Sequence, residues 1–236
     1  MRHAGRDAEA PPLDKHLPHF VTLEAIRESG GRCFLCVLEE REVREYFEHI
    51  LYESVNDGIL RARLVQSRGW CPRHAHQLLK RGKPFGTAIL YSDQMEIFDR
   101  DLSLACAGRR VAPPRRGSLM DPSRSCPACQ LQLGARRRHM ESFALGMRET
   151  DMSSAFLERG MVCVPHFYPL LKALTSKSDR RWLAAHLRPR HRVIFEDLQE
   201  YRRKMDYRNA GEPLAEDEGQ AAARAVEIMT GADGVF

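Results

Sequence analysis

The chain has 236 residues, of which 43% are hydrophobic and 29% charged, with a formal net charge of +5. That length predicts one or two domains, and the composition excludes collagenous, disordered and mucin-like classes. No apolar run approaches the roughly 20 residues of a membrane span, and Met1 to Phe20 lacks the apolar centre of a signal peptide, so a cytoplasmic location is expected.

Residues 1–19, with Pro11, Pro12 and Pro18, read as a flexible leader. A short helix from Val21 stops at Gly30-Gly31, ahead of Cys33. Val37, Leu38, Val43, Phe47, Ile50 and Leu51 recur at helical intervals, giving an amphipathic helix that ends near Asn56-Asp57-Gly58. A second helix runs to Arg68, helical periodicity resumes after Cys71, and a longer helix spans Pro84 to Ala107. Residues 108–125, rich in Arg and Pro, form a linker. The plan then repeats with helices at Leu131–Arg148 and Met152–Arg159, a third to Leu174, and a long stretch from Asp179 to Lys204. Pro189 is expected to kink or split that stretch. Ala221 to Met229 reads as a last helix, and sustained period-two alternation is absent. The expected fold is therefore all-α, a duplicated helical unit (20–107 and 126–208) packed as one pseudo-twofold globule with an acidic segment, 209–236, at the end.

The duplication is carried by six of the seven cysteines. Cys33-Phe-Leu-Cys36 is followed after 34 residues by Cys71-Pro-Arg-His74, and Cys126-Pro-Ala-Cys129 is followed after 33 by Cys163-Val-Pro-His166. Glycines precede both CxxH motifs, Gly69 and Gly160, and Leu78-Leu79 matches Leu170-Leu171. Two sets of three thiolates and one imidazole are a standard donor set for closed tetrahedral zinc. Pro72 and Pro165 place each CxxH in a first helical turn, whose partial positive charge favours thiolate. The expected ligands are Cys33, Cys36, Cys71, His74, Cys126, Cys129, Cys163 and His166, as two structural zinc sites. Pairing within each unit is the simpler expectation, and a swap, with Cys33 and Cys36 joining Cys163 and His166, is the alternative.

An iron–sulfur cluster is the alternative cofactor. A thioredoxin-like dithiol lacks its βαβ context, and haem attachment is excluded because Val37 and Gln130 stand where CxxCH needs histidine. Cys106 has no counterpart in the repeat and reads as a buried small hydrophobe. His76 is expected on a face away from His74. The remaining histidines, His139 among them, read as solvated or partly packed.

Arginine is concentrated in the middle of the chain, with nine Arg against three acids over residues 105–149. Arg136, Arg137, Arg138, Arg188, Arg190 and Arg192 are the candidates for nucleic-acid contact. Aromatic interleaving is thin, since Trp182, Phe195 and Tyr201 are equally well explained as core, and Arg-rich helix faces are commonly solvated or paired. Two filled zinc sites would also lower the formal charge from +5 to about +3. Nucleic acid is therefore a less favoured partner than a protein or small ligand. No catalytic constellation is evident, so an enzyme is not favoured.

With the motifs CxxC, G-x-C-x-x-H, CPxC, G-x-x-C-x-P-H and the later Asp206-Tyr207-Arg208, the chain resembles an uncharacterised bacterial family catalogued as a domain of unknown function. The resemblance runs from Phe20 to Thr230 and implies a cytoplasmic protein, with no activity attached.

Overall fold

A computed structural model describes residues 17–111, 126–209 and 211–236. These form ten α-helices and no strand: α1 Leu17–Glu28, α2 Phe34–His49, α3 Gly58–Ser67, α4 Pro72–Leu79, α5 Pro84–Cys106, α6 Pro127–Gly146, α7 Thr150–Arg159, α8 Val164–Ala173, α9 Lys177–Lys204 and α10 Glu216–Thr230. A π-helical turn, Ile50–Ser54, extends α2, and a 3₁₀ turn, Tyr207–Asn209, follows α9. No helix among the described residues is long and apolar enough to cross a membrane.

The residues 1–16 of the expected leader lie outside the described residues, whereas Leu17, Pro18 and His19 open α1 and His19 is buried. Of the expected linker, 112–125 lie outside as well. Two sequence expectations are corrected. Of the kink or split expected at Pro189, the split does not occur, because α9 runs unbroken from Lys177 to Lys204. Proline leaves a carbonyl one turn back without its N–H donor; nearby, the Arg190 guanidinium donates to His186 O at 2.8 Å and also to Leu157 O of α7, pinning this turn. Cys106 is exposed, since it lies at the end of α5 beyond Ile97, the last buried residue of that helix. Among the aromatics read as core, Trp182 packs against the buried cluster while Phe195 stands largely in solvent.

α2 and α6 pack antiparallel along their lengths. The Phe34 ring, at the start of α2, meets Phe143, near the end of α6, with centroids 5.2 Å apart. At the other end, Val43 and Phe47 of α2 share a buried cluster with Cys126, Ala128 and Cys129 of α6. The first cluster, around Phe34, Phe143 and Phe156, mixes both repeats, and so does the second, so neither repeat has a core of its own. α1 lies across this pair and packs on α2, α6 and α7.

Where α1 crosses α6, the His139 imidazole is buried. Its Nδ1 pairs with Thr22 Oγ1 at 2.9 Å, while Nε2 lies 3.8 Å from Glu42. Burial pushes its pKa below the ordinary value. The attraction of Glu42 opposes this shift, while the repulsion of Arg138 and Arg41 adds to it. A histidine depressed in the fold binds its proton first in the unfolded chain. Its stabilising contribution is therefore complete above about pH 6.5 and lost as the pH falls from there toward the native pKa. His139→Gln is expected to flatten the loss of stability between pH 7 and 5 in urea titrations; an unchanged pH profile would contradict this.

Candidate metal centres

Each of the four motif helices starts on a cysteine. Cys33 and Cys126 cap α2 and α6 with nearly the same backbone angles, φ −64°, ψ 117° and φ −68°, ψ 118°. Cys71 and Cys163 cap α4 and α8 at φ −65°, ψ 161° and φ −75°, ψ 162°. The repeat is thus one of local conformation as well as spacing. Pro72 and Pro165 sit in the first turn, where a missing N–H costs nothing. The glycines before the CxxH motifs serve different ends. Gly69 has φ +83° and lets the chain leave α3, whereas a side chain at Gly160 would collide with the Phe156 ring.

The ligand residues gather into two buried sets, Cys33, Cys36, Cys163 and His166, and Cys71, His74, Cys126 and Cys129, with the donor atoms of each set within 4.8 Å of one another. Pairing within a repeat is therefore overturned: each set takes CxxC from one repeat and CxxH from the other. Helix length gives the reason. α2 and its π-helical extension carry the chain roughly 30 Å from Cys36, and the ten residues of α3 return it by only about 15 Å. Cys71 and His74 consequently arrive beside the start of antiparallel α6.

The Cys36 and Cys163 sulfurs are 3.7 Å apart, and the His166 Nδ1 lies 3.4, 3.5 and 3.2 Å from Cys33, Cys36 and Cys163. In the other set the Cys71 and Cys129 sulfurs are also 3.7 Å apart, with His74 Nδ1 at 3.3, 3.6 and 3.3 Å from Cys71, Cys126 and Cys129. Backbone N–H groups donate to the sulfurs across the repeat boundary, from Cys71 to Cys126 Sγ at 3.4 Å and from Ala232 to Cys36 Sγ at 3.5 Å. The second bond depends on Gly231, whose φ of +83° ends α10 and whose missing side chain leaves room for the Phe236 ring.

Behind His166 stands a residue that sequence reasoning missed. Glu39, fully buried, accepts from His166 Nε2 at 2.7 Å, from Arg136 Nε and Nη2 at 2.6 and 2.7 Å, and from Gln132 Nε2 at 2.8 Å. Burial alone would raise its pKa, but the hydrogen bonds from Arg136 and His166 outweigh it and hold the carboxyl below the ordinary range. A carboxylate accepting from the far nitrogen of a ligating imidazole fixes its tautomer and orientation. One signal was available: Glu39 is an acid on the apolar side of α2, three residues after Cys36, and its repeat counterpart is Gln132. His74 has no such support. Its Nε2 is buried without a hydrogen-bond partner among the described residues.

Of the six candidate nucleic-acid residues, four are engaged by other groups of the chain. Arg136 is committed to Glu39 and stacks on Phe236, with its guanidinium carbon 4.4 Å from the ring centroid. Arg138 pairs with Glu42, Arg192 with Glu196, and Arg190 with backbone carbonyls, while Arg137 and Arg188 are exposed. His76 is exposed and turned away from the ligand set, as expected.

The profile of a family described as "Family of unknown function (DUF6062)" matches residues 19–234. An "Uncharacterized 23.9 kDa protein in xynA 3'region" of Caldicellulosiruptor sp. (strain Rt8B.4) is 31% identical over 201 residues, covering 85% of this chain and 95% of the relative. No solved structure matches.

Removing Glu39 would leave Arg136 and His166 without their buried acceptor. Glu39→Ala is expected to cost about 3–5 kcal/mol of unfolding free energy in denaturant titrations, and a loss below about 1 kcal/mol would refute the role given to the carboxylate.

Proposed function

Because the chain belongs to the family of unknown function DUF6062, a membership that carries no activity with it, we propose from its own geometry that it is a helical interaction protein whose two repeats are joined about a pseudo-twofold axis by two structural zinc ions. The observation that carries this reading is the size of the two ligand sets. A tetrahedral ion with bonds of about 2.3 Å to sulfur and 2.0–2.1 Å to nitrogen needs S···S edges near 3.8 Å and S···N edges near 3.5 Å. The separations of 3.7 Å between sulfurs and 3.2–3.6 Å from sulfur to Nδ1 fit that figure in both sets. A polynuclear iron–sulfur cluster, by contrast, seats its ligands on different irons and spreads them further apart.

Four protein donors fill each tetrahedron and leave no position for water or substrate, which supports a structural role over a catalytic one. Bound zinc supplies folding energy, about 10–16 kcal/mol in small zinc modules. Here the thiolates and imidazoles spend that energy on joining one repeat to the other. An interaction role is supported by the large apolar side chains Tyr52, Ile59 and Phe85, which stand exposed around the junction of the π-helical turn, α3 and α5.

Metal analysis of the protein purified without oxygen is expected to give two zinc ions per chain, one for each set. Visible absorption with acid-labile sulfide would overturn zinc in favour of an iron–sulfur protein. Paired substitutions test the connectivity. Cys36→Ser with Cys163→Ser should remove one ion, while Cys36→Ser with Cys71→Ser should remove both; pairing within repeats requires the opposite counts.

A further inference from the structure

Between α2, α4 and the C-terminal residues 233–235 lies a cleft of about 400 Å³, within the range of small-ligand sites. Its walls carry Arg44, Arg73, His76, Lys80 and Arg81, none of which has a carboxylate partner among the described residues. Elsewhere about half of the described arginines pair with carboxylates, as in Arg32 with Glu40, Arg61 with Asp93, Arg148 with Asp179 and Arg203 with Glu212; the cleft is set apart by gathering unpaired cations in one concavity. The acids at the cleft do not balance these cations. Glu39 is committed to Arg136 and His166, and Glu40 shares Arg32 with Glu227, which leaves Asp233 and part of the Glu40 charge against four permanent positive charges.

Two groups in the wall also lack partners. The Arg73 Nε–H and the Gln77 Oε1 are buried without hydrogen bonds, although Arg73 Nη2 donates to Gln132 Oε1 at 3.1 Å and Gln77 Nε2 donates to Gly234 O at 3.0 Å. Both side chains are thus anchored by one nitrogen while another polar atom stays unsatisfied. A buried donor of this kind favours a ligand that brings an acceptor.

We propose that this cleft binds a small phosphate-bearing molecule, with Arg44, Arg73, Lys80 and Arg81 as its charged contacts. A surplus of about two to three positive charges matches a phosphate dianion better than a single carboxylate, and guanidinium groups suit the bidentate geometry of phosphate. The concave form and limited volume favour a compact ligand over a nucleic-acid backbone, which needs an extended track of cations. Arg73 Nη2 also approaches Cys129 Sγ of the second set at 3.8 Å, so Arg44, Lys80 and Arg81 are the contacts that stand apart from the ion held there.

Calorimetric titration of the full-length, metal-loaded protein with inorganic phosphate and phenyl phosphate, at constant ionic strength, tests the assignment. One saturable site is expected, at millimolar affinity or better, with benzoate and acetate at least tenfold weaker. The double substitution Arg44→Ala with Lys80→Ala alters two exposed side chains, so it should keep the unfolding midpoint and the metal content yet weaken phosphate binding about tenfold or more. Arg188→Ala, outside the cleft, should change nothing. The proposal is overturned by absence of saturable phosphate binding, by binding that the double variant retains, or by benzoate binding as tightly as phenyl phosphate. It is also overturned if a single-stranded oligonucleotide binds with affinity that rises with length while phosphate does not bind.

Discussion

The antiparallel pairing of α2 with α6 sets the position of everything else in the chain. Each helix begins at a CxxC motif, so pairing them head to tail puts the two motifs at opposite ends of one two-helix unit. The helices that follow, α3 and α7, are too short to retrace the distance, and each CxxH therefore reaches the partner repeat's motif. The exchange of ligands, the mixed hydrophobic clusters and the absence of a separate core in either repeat all follow from that mismatch of lengths. A repeat of about 90 residues buries a modest core alone; here the shared clusters supply what each repeat lacks.

The two sets share spacing and backbone conformation but differ in their surroundings. At the repeat-equivalent positions 39 and 132, one copy carries the acid and the other an amide, and the amide donates to the acid. Glu39 therefore collects its own set's histidine, the equivalent amide and Arg136, which ties the first set to the middle of the α2–α6 pair. The C-terminal residues close over the same region. Gln132 Nε2 reaches Val235 O at 2.7 Å, and the Phe236 ring lies 4.8 Å from the His166 ring. The second set instead faces the cleft side, where Arg73 Nη2 approaches Cys129 Sγ at 3.8 Å. The two sets are alike in spacing, backbone conformation and burial, and differ in what backs their histidines: a carboxylate at His166 and no hydrogen-bond partner among the described residues at His74.

Much of this was legible in the sequence. The duplicated CxxC and CxxH motifs give the eight ligand residues, and helical periodicity with Gly30-Gly31 and Asn56-Asp57-Gly58 gives most helix boundaries, because these signals are local. The partner of each motif was not legible from spacing alone, since 34 intervening residues are compatible with a closed hairpin or an outward run. A long helix followed by a shorter one was readable there, but the antiparallel pairing of α2 with α6, which decides the partner, was not. Cys106 was misjudged because an apolar sequence neighbourhood says nothing about whether a helix end projects beyond its packing partners. At Pro189, propensity alone misses the neighbouring carbonyls that the Arg190 side chain engages. The place of Glu39 on the apolar side of α2 was visible, but its role was not, as its partners come from α6 and α8 and only the folded chain brings them together.

Exchange of motifs also fixes an order of assembly along the chain. The set of Cys71, His74, Cys126 and Cys129 is nested inside the span of the other, whose members Cys33 and His166 lie 133 residues apart. During synthesis from the N-terminus the inner set is complete once Cys129 has emerged, and the outer set waits for His166. Until Cys126 and Cys129 appear, the thiol pair of the first CxxC and the thiol and imidazole of the first CxxH are both unmatched on a nascent chain with no finished core. The inner set spans a loop of about 60 residues and the outer one a loop more than twice as long, so an ion bound in the inner set would reduce the loop-closure entropy of the outer.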